Sequence, residues 1–159
     1  MTAQATKVVD PATLTPRIGS SYPEEFTAAV AEREKRALGD ATGVTQFGVN
    51  LTRLPPGCAS AQRHWHSRED EFVYIVSGEL TLITDAGEQV LSAGMCAGFP
   101  AGVEDGHCIV NKTETSATIL EVGTRDNRDE GNYPDDDLYI GSGRYEGKAQ
   151  FTRKDGTPY

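Results

Sequence analysis

The chain carries three histidines, His64, His66 and His107, and the first two alternate with Trp65. In an extended segment, side chains two apart project to the same side. His64 and His66 therefore offer both imidazoles to one point, as two ligands of a single metal ion must. Glu71 follows five residues after His66, beyond the polar stretch Ser67-Arg68-Glu69-Asp70, which has the composition of a turn. From there Glu71, Val73 and Ile75 share one face of a strand, and Phe72, Tyr74 and Val76 share the other. A carboxylate at the mouth of an apolar face is costly unless a cation compensates it, and a metal ion shared with the imidazoles is that cation. His107 begins a later strand after a Pro-Ala-Gly turn and can supply a third nitrogen. On residue type alone, Glu69 and Asp70 compete with Glu71 for the carboxylate position.

Imidazole and carboxylate donors suit one divalent transition metal, Fe, Mn, Ni, Co or Zn. The three cysteines, Cys58, Cys96 and Cys108, form no C-x-x-C pair, which disfavours a thiolate zinc site and a disulfide framework. They are expected to be reduced thiols that pack as small apolar groups. Four protein ligands on an octahedral ion leave two positions for a chelating substrate, for a substrate with dioxygen, or for an activated water.

The elements that position these residues are expected to be strands. The 159 residues fit one domain, and 17 glycines and 8 prolines favour turns over long helices. Ser21 and Glu24 have capping-box spacing, Pro23 suits an early helical position, and Phe26 and Val30 are four apart, so a helix is expected over about 22–38, its face of Glu32, Arg33, Glu34, Lys35 and Arg36 solvated. From Val44 the period becomes two, with Phe47, Val49 and Leu51 alternating with Gly48, Asn50 and Thr52. Further strands are expected over 72–76, 80–84, 88–91, 96–99, 107–111 and 117–122, with turn signals such as Ser77-Gly78 and Ala93-Gly94 between them. No helix interrupts them, so the class is all-β and antiparallel, a sandwich or barrel. After Gly123 the aliphatic pattern dissolves, and the aromatic residues of the tail are left to pin it to the barrel or to a second subunit.

Gly57-x6-His64-x-His66-x4-Glu71-x6-Gly78 resembles the first motif of the cupin family, and Gly94-x5-Pro100-x-Gly102-x4-His107-x3-Asn111 resembles the second. The spacers before His64 and before His107 are slightly longer than in the family pattern, and both fall in expected loops. The resemblance spans roughly 44–122. It implies a jelly-roll (double-stranded β-helix) barrel, with His64, His66, Glu71 and His107 as metal ligands and Gly78, Pro100 and Gly102 as turn positions. On this basis the chain divides into an N-terminal arm and helix (1–43), a barrel (44–122) and an irregular C-terminal tail (123–159).

The chain also resembles the small single-domain cupins labelled sugar-phosphate isomerases, which implies a small-molecule substrate that is anionic. Arg53, Arg63 and Arg68, with Lys112, are the expected substrate-binding cations near the barrel mouth. Glu104 is the expected proton-moving carboxylate, and Asn111, Glu104 and Asp105 are candidate partners for the histidines. Two other activities fit the same ligands: an Fe(II)-dependent dioxygenase, and a metal-holding sensor module without turnover. The net charge of −9 argues against nucleic acid and anionic membrane as partners. Six acids between Asp126 and Asp137, against Arg128 alone, read as a solvated loop. No apolar run reaches membrane-spanning length and no basic-then-apolar leader is evident, so a cytoplasmic location is expected. Pairing into a homodimer is expected from the family resemblance.

Overall fold

The structure is a computed structural model that describes residues 7–159. In chain order its elements are β1 (Arg17–Ile18), β2 (Glu34–Ala37), the single-turn helix α1 (Leu38–Ala41), β3 (Phe47–Leu54), β4 (Trp65–His66), β5 (Glu71–Ser77), β6 (Glu79–Thr84), β7 (Gly87–Ser92), β8 (Cys96–Phe99), β9 (Cys108–Val110), β10 (Ala117–Thr124), β11 (Gly131–Tyr133), β12 (Leu138–Ile140) and β13 (Phe151–Thr152). They form a six-stranded sheet in the order β1-β2-β3-β10-β5-β8, a four-stranded sheet β13-β12-β11-β4 and a three-stranded sheet β7-β6-β9. Every pairing is antiparallel. Isolated bridges Ala59↔Val110 and His64↔His107 tie β9 and the residue just before it to the segment that leads into β4.

The interior is graded along the strands. At one end Leu54, Val73, Ile75, Leu80, Leu82, Leu91, Ile109, Ala117 and Ile119 form one buried cluster. Full burial of such a side chain stabilises by about 1.5–3 kcal/mol. Toward the other end the same inward-facing rows turn polar. Register places Asn50 opposite Glu121 and Thr52 opposite Ile119, with Lys35 opposite Thr52 and Glu121 opposite Val73. Thr52 Oγ1 donates to Glu121 Oε2 at 2.6 Å, and Lys35 Nζ lies 2.9 Å from the same oxygen. One end of the interior is thus a packed hydrophobic floor and the other a polar bowl.

Three expectations are corrected. The helix over 22–38 does not form. The segment makes two successive 3₁₀ turns, Glu24–Phe26 and Ala28–Val30, then the strand β2. The four-residue spacing reflects a real apolar anchor, since Val30 is fully buried. Pro23, however, occupies the first cap and makes no side-chain cap bond, and β2 gains a ladder on β3 that an isolated helix lacks. Arg33 is accordingly buried rather than solvated.

β3 lies where alternation puts it, and its polar row rather than its apolar one faces the interior. Phe47 is exposed, Gly48 and Asn50 line the bowl, and Thr52 is fully buried beneath it against Glu121. The tail is not irregular. It supplies β11, β12 and β13, and β11 pairs with β4. Tyr133, Leu138 and Ile140 form a second core with Tyr22, Phe26 and Phe151, and Tyr22 meets Tyr133 edge to face at 5.8 Å. The tail aromatic residues therefore pack on their own chain. Among the described residues no helix is long and apolar enough to cross a membrane.

Candidate metal centre

β4 carries His66 inward and the His64↔His107 bridge holds the other two imidazoles beside it, with backbone hydrogen bonds of 3.1 and 2.9 Å between His64 and His107. Glu71 opens β5 on the inner face. The four side chains converge on one atom: Glu71 Oε2 lies 3.5 Å from His64 Nε2, 3.6 Å from His66 Nε2 and 2.7 Å from His107 Nε2. All three histidines are buried. His64, His66 and Glu71 form a group whose donor atoms lie within 4.8 Å of one another. The longer spacer before His107 is absorbed by the loop 103–106, so the bridge keeps His107 in place.

The far sides of the rings are organised as well. His64 Nδ1 is 2.8 Å from Gln62 O, and His66 Nδ1 is 2.6 Å from Asp129 Oδ2. Both acceptors require the proton on Nδ1, which leaves each Nε2 lone pair directed at the centre. That is the arrangement in which outer partners fix the tautomer and orientation of metal-binding histidines. His107 is held differently, by Phe99 stacked on its ring at 3.6 Å. Its Nδ1 is the one buried side-chain polar atom without a hydrogen-bond partner among the described residues. Three inward nitrogens and one carboxylate oxygen make a donor set that fits a divalent transition metal.

Electrostatics agree with this. Burial opposes ionisation of Glu71, but its hydrogen bond with His107 and the closeness of the His64 and His66 rings outweigh it and hold its pKa well below the usual carboxylate range. Burial likewise opposes the charged form of His66, and its bond to Asp129 reverses the balance and raises its pKa. For His107, burial prevails and lowers the pKa.

Asp129 is the functional residue that sequence reasoning misses. It belongs to the acidic run read as a solvated loop, yet it is only 1% exposed. Besides His66 it accepts from the backbone N–H groups of Arg68 and Glu69, at 2.8 and 3.2 Å. No local pattern separates it from its neighbours; the signal is tertiary. Glu69, on sequence only a rival ligand, is 4% exposed. It accepts from Tyr145 Oη at 2.6 Å and from Asp126 N at 2.9 Å, and burial raises its pKa.

The histidines and Glu71 border a cavity of about 580 Å³ whose wall also includes Arg17, Arg33, Lys35, Arg125 and Arg144. A volume of this size suits a small molecule. A second cavity of about 80 Å³ lies between His66, Glu71 and His107 on one side and Trp65, Phe99, Val103 and Asp105 on the other. Trp65 thus contacts the space beside the imidazoles, although its position alternates with theirs.

Of the other expected site residues, Asp105 alone borders a cavity. Arg53 lies on the outer side of β3, bound to Glu34 at 2.7 Å and Ser116 at 2.7 Å. Arg63 bonds both carboxylate oxygens of Asp135, at 2.7 and 2.8 Å, and also meets Asp85. The Arg68 side chain is exposed, and Lys112 pairs with Glu88 at 2.6 Å. Arg53 alternates with the inward Thr52 and therefore points away from the interior, and the other three cations lie in loops between strands. Glu104 is exposed and lines neither cavity. Asp105 accepts from Asp85 N at 2.7 Å. Asn111, fully buried, donates to Leu54 O and Thr115 O at 2.8 Å each, pinning a loop rather than a histidine.

Comparison with known proteins is consistent with this geometry. Residues 50–123 match the family described as Cupin domain. A sugar phosphate isomerase of the cupin superfamily from Silicibacter pomeroyi DSS-3 is 45% identical, with 96% of each chain covered and a TM-score of 0.91. A candidate sugar phosphate isomerase from Acidithiobacillus ferrooxidans ATCC 23270 is 28% identical over 81% of each chain, with a TM-score of 0.73. The polyketide cyclase RemF from Streptomyces resistomycificus shares the fold alone, at 22% identity and a TM-score of 0.62 over 76% of this chain and 80% of that one. No curated protein sequence matches the chain. The motifs, the all-β architecture and the close likeness over nearly the whole length lead to one conclusion: the chain belongs to the cupin superfamily.

Proposed function

We propose that the protein is a divalent-metal-dependent isomerase of sugar-phosphate type. The observation that carries this reading is the convergence of three Nε2 atoms on Glu71 Oε2 at the edge of a cavity of small-molecule size. The 45% identity to a protein named sugar phosphate isomerase supports this choice of reaction class. His64, His66, Glu71 and His107 would hold one ion of Fe, Mn, Ni, Co or Zn. When bound, such an ion supplies Lewis-acid polarisation of neighbouring carbonyl and hydroxyl oxygens of a sugar.

The protein's own residues do the rest. Gln62 O and Asp129 keep two imidazoles aimed inward. Glu69 replaces Glu104 as the carboxylate placed to move a proton between adjacent carbons: it lines both cavities, and Tyr145, Arg144 and the Asp126 N–H orient it. The second core, with Tyr133 over His64 at 5.7 Å, closes one side of the bowl against water. Elemental analysis of the purified protein, then isomerisation of aldose and ketose phosphates followed by proton exchange at the carbon next to the carbonyl, tests this reading. Oxygen uptake on turnover with iron would assign it instead to a dioxygenase. A ligand bound unchanged, with no turnover under any metal, would assign it to a sensor module.

We also propose that two copies pair through the outer face of the six-stranded sheet. There Phe72, Tyr74 and Val76 are each more than 40% exposed, and register sets them beside Leu120, Val122, Cys96 and Gly98, with Val49 and Leu51 one strand further. This strip carries no charge. Near a twofold axis each residue meets its own copy, so a charged strip would repel itself and an uncharged one does not.

A further inference from the structure

The positive charges around the bowl are unevenly compensated. Arg144 sits 3.4 Å from Glu69 and 3.3 Å from Asp129. Arg125 pairs with Asp40 and lies 5.7 Å from the centre of the Tyr145 ring. Those two cations are neutralised locally. On the β1–β2 edge the situation is different. Arg17 and Lys35 are register partners and both line the cavity, and Arg33 lies between the two strands, 5% exposed. Arg33 is bound only by carbonyl oxygens: Gly19 O at 2.8 and 3.2 Å, and Ser60 O. Lys35 shares Glu121 with Thr52, and Arg17 forms no ion pair among the described residues. Three cations therefore face one carboxylate, in a protein whose net charge is −9.

Burying a guanidinium with no carboxylate partner is costly. Burial lowers the Arg33 pKa against the opposing influence of Glu121 and Tyr22, and the charge of Arg17 adds to the lowering. Such an excess of positive charge in a concave, partly dry site is what an anionic ligand group compensates.

We propose that Arg17, Arg33 and Lys35 form the docking site for the phosphoryl group of a sugar monophosphate whose other end reaches the histidine centre. This rests on the isomerase reading above and names the residues that select its substrate. β2 stands three strands from β5 in the same sheet, about 14 Å along it at roughly 4.8 Å per strand, less the inward reach of the side chains. A ligand that touches both ends must therefore be elongated, with an anion at one end and vicinal oxygens at the other, which is the layout of a phosphorylated sugar. The neighbouring hydroxyls of Ser20, Ser21 and Ser60 border the same space and suit phosphate oxygens.

The test titrates inorganic phosphate into the full-length protein after chelator treatment, by calorimetry at constant ionic strength, with sodium chloride and sodium oxalate as comparison probes. Saturable phosphate binding to the metal-free protein, weakened about tenfold by Arg17→Ala and further by Arg17→Ala with Lys35→Ala, supports the proposal. Absence of saturable binding, equal affinity in Arg17→Ala, or oxalate binding as tight as phosphate overturns it, and Arg33 is then a structural tie between Gly19 and Ser60. Arg17 is exposed, so its replacement leaves the fold intact, and thermal unfolding of the variant checks this. Metal content separates the two readings. Phosphate binding that depends on Arg17 in a protein that holds no metal as isolated would sink the isomerase reading alone; full metal content with no phosphate binding would sink this one alone.

Discussion

His66 Nδ1 donates to Asp129 Oδ2 across 2.6 Å, although 63 residues separate the two in the chain. Asp129 stays ionised: its own burial works against the charge, but the hydrogen bond and charge of His66 prevail and lower its pKa. The carboxylate therefore orients the ring and raises its basicity as a ligand. Asp129→Asn keeps an oxygen for the Arg68 and Glu69 N–H groups but removes the charge. Metal affinity, measured by competition with a chromophoric chelator, is expected to fall by about 10- to 100-fold while the circular dichroism spectrum is unchanged. Unaltered affinity would show that the bond does not tune the centre.

The same pair explains what can be read from the chain and what cannot. His64, His66 and Glu71 are legible because strand periodicity converts local spacing directly into facing, and His107 because its turn precedes a strand. Glu69 and Asp129 look like any surface acid until β11 pairs with β4 and folds the tail over the bowl. That pairing joins Gly131 to His66 and Asn132 to Trp65, and no aliphatic pattern announces it. Arg33 escapes a local reading for a related reason. Five charged residues in a row look solvated, yet β2 is held edge-on by β1 and β3, so each of its sides meets the protein. The inward polar row of β3 shows that alternation locates a strand without saying which side is the interior, because a polar bowl inverts the usual assignment.

His66→Ala removes a nitrogen that no neighbour can replace, because Asp129 is on the far side of the ring. Stoichiometric metal in the protein as isolated is expected to fall to background by elemental analysis. Retention of full metal content would refute the ligand assignment of His66.

Holding a metal couples binding to folding. At a free metal concentration about 100 times the Kd, a single site adds roughly 2.7 kcal/mol of stability. For a chain of this length that corresponds to a Tm higher by about 5–10 °C. Calorimetry with and without a chelator measures the difference, and it should disappear in His66→Ala. An equal shift in that variant would place the stabilising ion elsewhere.

Phe72→Lys puts a charge into the middle of the apolar strip. At a twofold interface each lysine would face the other or a desolvated aliphatic surface, so sedimentation is expected to change from dimer to monomer at micromolar concentration. Metal content should be unaffected, since Phe72 points away from Glu71. A monomer in the unmodified protein would exclude the pairing.

Gly78 makes the turn between β5 and β6 at a φ of +81°, and a Cβ there would lie 2.7 Å from the Cβ of Ala117. An L side chain meets two separate costs: the left-handed conformation, about 1–2 kcal/mol, and overpacking against a fully buried neighbour, typically about 1–3 kcal/mol. Ala117 cannot yield easily, because β10 is clamped between β3 and β5. Gly78→Ala is therefore expected to lower stability by about 2–5 kcal/mol, a Tm drop of about 4–20 °C. Asp85-Ala86-Gly87 offers an internal control: Gly87 also has positive φ, at +108°, but a Cβ added there would have nothing within 4 Å. Gly87→Ala should bear only the conformational cost, so equal destabilisation of the two variants would mean that contact with Ala117 contributes nothing.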